Sequence, residues 1–129
     1  MQSIQLFELA SKQAEWLSIR QQVVSTNIAN ANTPKFRAQD VTPFESVLEA
    51  SYVPMARTNP AHFVSATPGS DEVEVKDEEV NSEIGVQESG NTVAVANELS
   101  KSGEIKRQYD LNTQLVKAFH NMMLTTLGK

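Results

Sequence analysis

STNIANANTPKF, residues 25–36, decides how this chain is read. Asn27, Asn30 and Asn32 alternate with Ala29 and Ala31 beside a single Ile28, and no charge appears until Lys35. A helix approaches from the N-terminal side, and Pro34 closes the segment. Proline drives its predecessor out of helical space, so the helix is expected to stop by about Asn32. Asparagine tolerates the left-handed conformation of a helix exit, so the stop falls among suitable residues. Small neighbours allow another backbone to come close. Amides in an otherwise apolar seam fix its register at some loss of stability. The end of this helix therefore reads as a surface laid tightly against another helix, with amides bonding across.

Upstream, from about Ile4, the pairs Leu9/Ala10, Trp16/Leu17 and Val23/Val24 recur every seven residues, the mark of one helical stripe. Gln13, Arg20 and Asn27 fall between those pairs, and Ser3 is the expected N-cap. A second long helix is expected from about Ala94 to Leu127. There Ile105, Tyr109, Asn112, Val116, Phe119 and Met123 alternate in steps of four and three, while Leu99, Leu115 and Met122 broaden the face. Gly103 weakens that helix by about 1 kcal/mol relative to alanine.

All five prolines lie between positions 34 and 68, so the two terminal arms are free of helix breakers. Thr42-Pro43-Phe44-Glu45 carries a cap, a first-turn proline and a capping-box glutamate, which predicts a short helix over 43–51. Val73 and Val75 alternate with acids and predict a short strand, as do residues 62–66. The expected division is an N-terminal helix at 1–33, an irregular middle at 34–92 with an acidic loop at 71–88, and a C-terminal helix at 93–129. The fold class read from these elements is mainly α.

Composition narrows the function. The 129 residues suffice for one domain, with hydrophobic residues at 40%, aromatics at 6% and no cysteine. The net charge of −5 conceals a segment from Asp71 to Glu88 with eight acids and one base, leaving the rest slightly positive. No basic face for nucleic acid is expected. No apolar run approaches the roughly 18 residues of a membrane span. The start, MQSIQLFELA, lacks the basic region of a cleavable signal peptide. His62 and His120 are too far apart in sequence for a ligand motif. The acidic run DEVEVKDEE lacks the calcium-loop order. With no phosphate loop or nucleophile motif either, no catalytic residue, cofactor or metal site is expected.

The stretch STNIANANTPKFRAQDV, 25–41, resembles the N-terminal signature of the flagellar axial proteins of rod and hook. Asn27, Ile28, Ala29, Asn30, Ala31, Asn32, Thr33, Pro34 and Phe36 match it, and Lys35 stands where the signature has glycine. The C-terminal arm, residues 102–129, resembles the matching C-terminal signature through Tyr109, Asn112 and Met123-Leu124. Short length, FRAQDVTPFESVL after the motif and RTNPAHF at 57–63 are similar to a proximal rod member rather than a sibling with an insertion.

The resemblance implies that the long terminal helices pair as an antiparallel, coiled-coil-like axial domain, which packs with copies of itself and sibling rod proteins into a tube. It further implies export through the flagellar type III apparatus on an uncleaved signal. The implied place is the periplasmic, cell-proximal end of the rod, near the export gate and the adaptor FliE. The expected assembly interface comprises Leu9, Trp16, Val23, Val24, Asn27, Ile28, Ile105, Tyr109, Asn112, Val116, Phe119 and Met123. The rival expectation is a soluble helical adaptor or chaperone, which explains the amphipathic arms but not the ANANTP ending. A metal enzyme built on the acidic loop ranks last.

Overall fold

The computed structural model describes residues 2–50, 73–78 and 86–128. In chain order these form α1 (Gln2–Ala29), β1 (Gln39–Val41), α2 (Phe44–Ala50), β2 (Val75–Asp77) and α3 (Val95–Thr126). The 28 residues of α1 and 32 of α3 make rods of roughly 42 and 48 Å at about 1.5 Å per residue. They lie side by side and antiparallel. Asn27 bonds Glu98, Gln21 bonds Ser102, Asn112 bonds the Ala10 carbonyl and Phe7 meets Phe119, so positions climb in one helix as they fall in the other.

The apolar core sits toward one end of the pair, where Trp16, Leu17, Val23 and Val24 of α1 meet Ile105 of α3 and Val41 of β1. Ile19, Ile28, Phe44, Val47 and Val73 close around it. Trp16 anchors this end twice: its Nε1 donates to the Thr42 carbonyl at 2.8 Å, and its ring packs against Phe44. An isolated two-stranded ribbon is marginal in water. Here β1 and β2 pair antiparallel, Asp40 opposite Lys76 and Val41 opposite Val75, and Val41 docks the ribbon on the core. At the other end, Phe7 and Phe119 hold the helices edge to face at 5.7 Å.

The helical arms and short middle elements agree with the sequence reading, while three local details differ. Helix α1 begins at Gln2, so Ser3 lies inside its first turn rather than capping it. Helix α2 takes its first bonds from the Pro43 carbonyl, which accepts from Ser46 N and Val47 N. Pro43, and not Thr42, therefore stands at the cap position, while the Thr42 amide donates to Glu74 O and its carbonyl accepts from Trp16. The expected left-handed asparagine is also absent. Among the described residues the only non-glycine at positive φ is Lys35, at 61°. The predicted strand at 62–66, the RTNPAHF stretch, the end of the predicted 43–51 helix and part of the acidic loop lie outside the described residues.

The Lys35 conformation has a plain cause. Phe36 N donates to Thr33 O at 3.3 Å, closing a four-residue turn with Pro34 second and Lys35 third. Proline at the second position and positive φ at the third define a type II turn, which prefers glycine there. Lysine in left-handed space costs about 1–2 kcal/mol, partly offset because glycine is freer in the unfolded chain. Lys35→Gly is therefore expected to stabilise the protein by about 0.5–1 kcal/mol, read as a higher urea midpoint at unchanged slope.

Candidate assembly interface

Beside the ANANTP exit lie two buried amides, Asn27 and Asn91. Asn27 is completely buried. Its Nδ2 donates to Gln39 O at 2.7 Å and to Glu98 Oε2 at 3.0 Å, and its Oδ1 accepts from Gln39 N at 3.0 Å. One side chain thus ties α1 to β1 and to α3. Asn91, equally buried, secures the helix exit: Nδ2 donates to the carbonyls of Asn30 and Thr33, and Oδ1 accepts from Val93 N at 2.7 Å. A side chain 61 residues away thus adds a second donor to carbonyls just past the helix end that already accept from Thr33 N and Phe36 N. Lys35 N bonds Ser89 O, and Thr92 N bonds Phe36 O, so the two segments run on together.

Around Glu98 lies a network of five charges. Lys101 Nζ contacts Glu78 Oε1 at 2.8 Å, Glu98 Oε1 at 3.2 Å and Asp40 Oδ2 at 3.4 Å. Arg20 Nε meets Asp40 Oδ1 at 3.2 Å while its guanidinium lies over the Trp16 ring. Burial pushes the Asp40 carboxyl upward, but Arg20, the Val41 amide and Lys101 outweigh it and hold the carboxyl below its usual value. Burial likewise pushes Lys101 downward, and Glu78, Asp40 and Glu98 reverse that, so its pKa is raised. Buried charge is tolerable only when every polar atom is matched. Among the described residues no buried side-chain nitrogen or oxygen lacks a partner.

The expected interface residues divide by depth. Trp16, Val23, Val24, Asn27, Ile105 and Asn112 are buried inside the chain, where they join its own helices. Asn112 does so through Nδ2, which donates to the Ala10 carbonyl at 2.8 Å. Ile28, Val116, Phe119 and Met123 are half-buried, while Leu9 and Tyr109 are exposed. Within the motif, Asn30, Ala31 and Phe36 are half-buried, and Ala29, Asn32, Thr33 and Pro34 are exposed. The structure adds Phe7, Asp40, Asn91, Glu98 and Lys101 to the residues joining the elements. Glu98 had a visible signal. It stands seven residues before Ile105 and fourteen before Asn112, on the same stripe.

A second apolar row covers the outside of α3. Leu111 is 66% exposed, Leu115 53% and Met122 59%. Three large residues in a line, uncovered by their own fold, are suited to packing against another protein. No group of three or more His, Asp or Glu side chains among the described residues could hold a metal ion. None of the described helices is long and apolar enough to cross a membrane.

These features coincide with what comparison finds. Residues 16–37, spanning the anchor tryptophan and the whole helix exit, match a family described as flagella basal body rod protein. Over all of its length the chain is 66% identical to the flagellar basal body rod protein FlgB of Agrobacterium fabrum, covering 97% of that relative. The chain belongs to the flagellar basal body rod protein family. The part of the rod-family signature that lies inside the molecule is therefore its joint, where α1 leaves the core and Asn27 and Asn91 lock it to the rest. The exposed remainder, Ala29, Asn32, Thr33 and Pro34, faces outward beside that joint.

Proposed function

We propose that this chain is a structural subunit of the proximal rod of the bacterial flagellar basal body, built in through its two long helices. Full-length identity of 66% to a rod protein carries the reading, and the uncovered apolar row on α3 supports it physically. The subunit packs against copies of itself and against sibling rod proteins, with the adaptor FliE and the export gate as neighbours at the cell-proximal end. It works in the periplasm, reaches it through the flagellar export apparatus without losing a signal peptide, and helps form the torque-bearing tube around the export channel. It performs no catalysis. The buried residues Trp16, Val23, Val24, Asn27, Ile105 and Asn112 act by fixing the helix pair. Leu9, Ile28, Tyr109, Val116, Phe119 and Met123 complete the interface from its exposed and half-buried edges.

Fractionation of cells carrying a tagged chain tests this. The chain is expected in purified basal bodies, and its deletion is expected to abolish rods and swimming. A chain confined to the soluble lysate, with rods intact in the deletion, would show the adaptor reading to be right instead. The double variant Leu111→Glu/Leu115→Glu is expected to lower incorporation at least tenfold. Its thermal midpoint should stay close to that of the parent, because both residues are more than half exposed.

A further inference from the structure

A groove of about 540 Å³ lies between α1 and α3, floored by Leu17 and Ile105 and bordered by Gln21, Ser102, Gly103 and Tyr109. Gln21 and Ser102 bond each other across it at 3.3 Å. The floor is continuous with the core, yet the opening is uncovered.

Gly103 is the telling residue. It sits within a 32-residue helix and is absent from the positive-φ positions. A Cβ added to it would meet no atom within 4 Å. Neither backbone conformation nor packing within the chain calls for glycine, and glycine weakens a helix interior. What glycine does provide is bare backbone at the edge of an apolar groove, where another helix can approach closely.

The chain also carries a row of matching character. At about 100° per residue, Leu111, Leu115 and Met122 fall within an arc of roughly 40°, about 100° to one side of Ile105. Ser102, Lys106 and Tyr109 fall about 40–100° to its other side. Groove and row thus occupy opposite flanks of α3. Their charges are complementary: the groove contains one base, Lys106, and no acid. Glu104 lies on the same helical row as Leu111 and Leu115 and is the one acid in it, with no base.

We propose that the groove beside Gly103 receives the row of Leu111, Leu115 and Met122 from a second copy of this chain. The proposal rests on the rod-subunit reading and specifies one contact within it. Because donor and acceptor surfaces differ, the contact is heterologous. Each copy offers a groove to one neighbour and a row to the next, so the contact propagates instead of closing as a two-fold dimer.

The cysteine-free sequence permits a clean test by cross-linking in assembled basal bodies. Cells would co-express Gly103→Cys with Leu111→Cys, Leu115→Cys or Met122→Cys, each on a separate copy. At least one pair is expected to give covalent dimers after mild oxidation. Lys117→Cys, on the groove flank of α3, is expected to give none with Gly103→Cys. Gly103→Leu, which fills the groove, should lower incorporation at least tenfold while leaving the isolated chain's Tm equal or higher.

Absence of dimers in all three pairs, or equal dimer yield with Lys117→Cys, would overturn the proposal. So would normal incorporation of Gly103→Leu. If Gly103→Leu blocks incorporation but no pair cross-links, a different protein occupies the groove and the assignment to a second copy fails. Each of these outcomes leaves the rod reading intact provided the parent chain is found in basal bodies. Its absence there would remove that reading instead.

Discussion

Asn27→Leu is expected to destabilise the folded chain by about 3–5 kcal/mol. Leucine matches asparagine approximately in size, so the loss arises from unpaired partners more than from a hole. Gln39 loses partners for both its N–H and its carbonyl, and one oxygen of the buried Glu98 loses its donor. A domain of ordinary stability retains only about 5–15 kcal/mol in total, so the variant would be close to unfolding at growth temperature. Asn30→Leu supplies the contrast. The Asn30 side chain bonds only Thr26 and Thr33, both at the same helix end, and its loss is expected to cost about 1 kcal/mol or less. Urea midpoints at constant slope measure both. Equal midpoints for Asn27→Leu and the parent would show that the three-way joint is not what holds the elements together.

Lys101→Met is expected to cost about 3 kcal/mol at neutral pH, because it leaves Glu78, Glu98 and Asp40 with Arg20 as the remaining cation of the network. The pH dependence distinguishes this from a packing defect. Asp40 has a folded pKa below its ordinary 3.8, so its contribution is present above that value and fades as the solution acidifies through the lower folded pKa. Lys101 has a folded pKa above 10.5, so its contribution is complete below 10.5 and fades as pH rises through the higher folded pKa. The network therefore holds between about pH 4 and 10.5. Once Asp40 is protonated it no longer attracts Lys101, so the parent loses a contribution that Lys101→Met already lacks. The gap between variant and parent should narrow below pH 4 in thermal melts taken across that range. A gap independent of pH would mean that the lysine acts through its aliphatic stem.

The contrast between these two residues shows what the sequence could reveal. Asn27 was recognisable because it interrupts a regular stripe at an unfavourable place, and a stripe is a local property readable from spacing. The same spacing made Asn112 and Ile105 legible, while the pairing of the two long helices came from the family resemblance. Lys101 gave no such sign. Its partners come from three separate elements, at positions 40, 78 and 98, and only the register of the helices and the ribbon brings them together. Asn91 was invisible for the same reason, since it caps a helix that ended sixty residues earlier. Periodicity also cannot say which flank of an apolar helix its own fold will cover. Leu115 and Met122 looked like a broadening of the inner face of α3, yet both are exposed. The replacement of glycine by Lys35 was plain in the sequence. Its consequence, a left-handed lysine at the third place of a type II turn, required the backbone.

The antiparallel pairing also governs when this molecule can take shape. Its joining contacts unite residues 71, 81 and 102 positions apart in sequence. Closing so long a loop precedes any reward from the contacts it allows, which makes folding slow compared with a local hairpin. Until the last quarter of the polypeptide is available, the first helix has β1 and α2 to close against but not its long partner. A newly made chain therefore lacks its helix pair, and the rigidity that pair confers, until its tail is present.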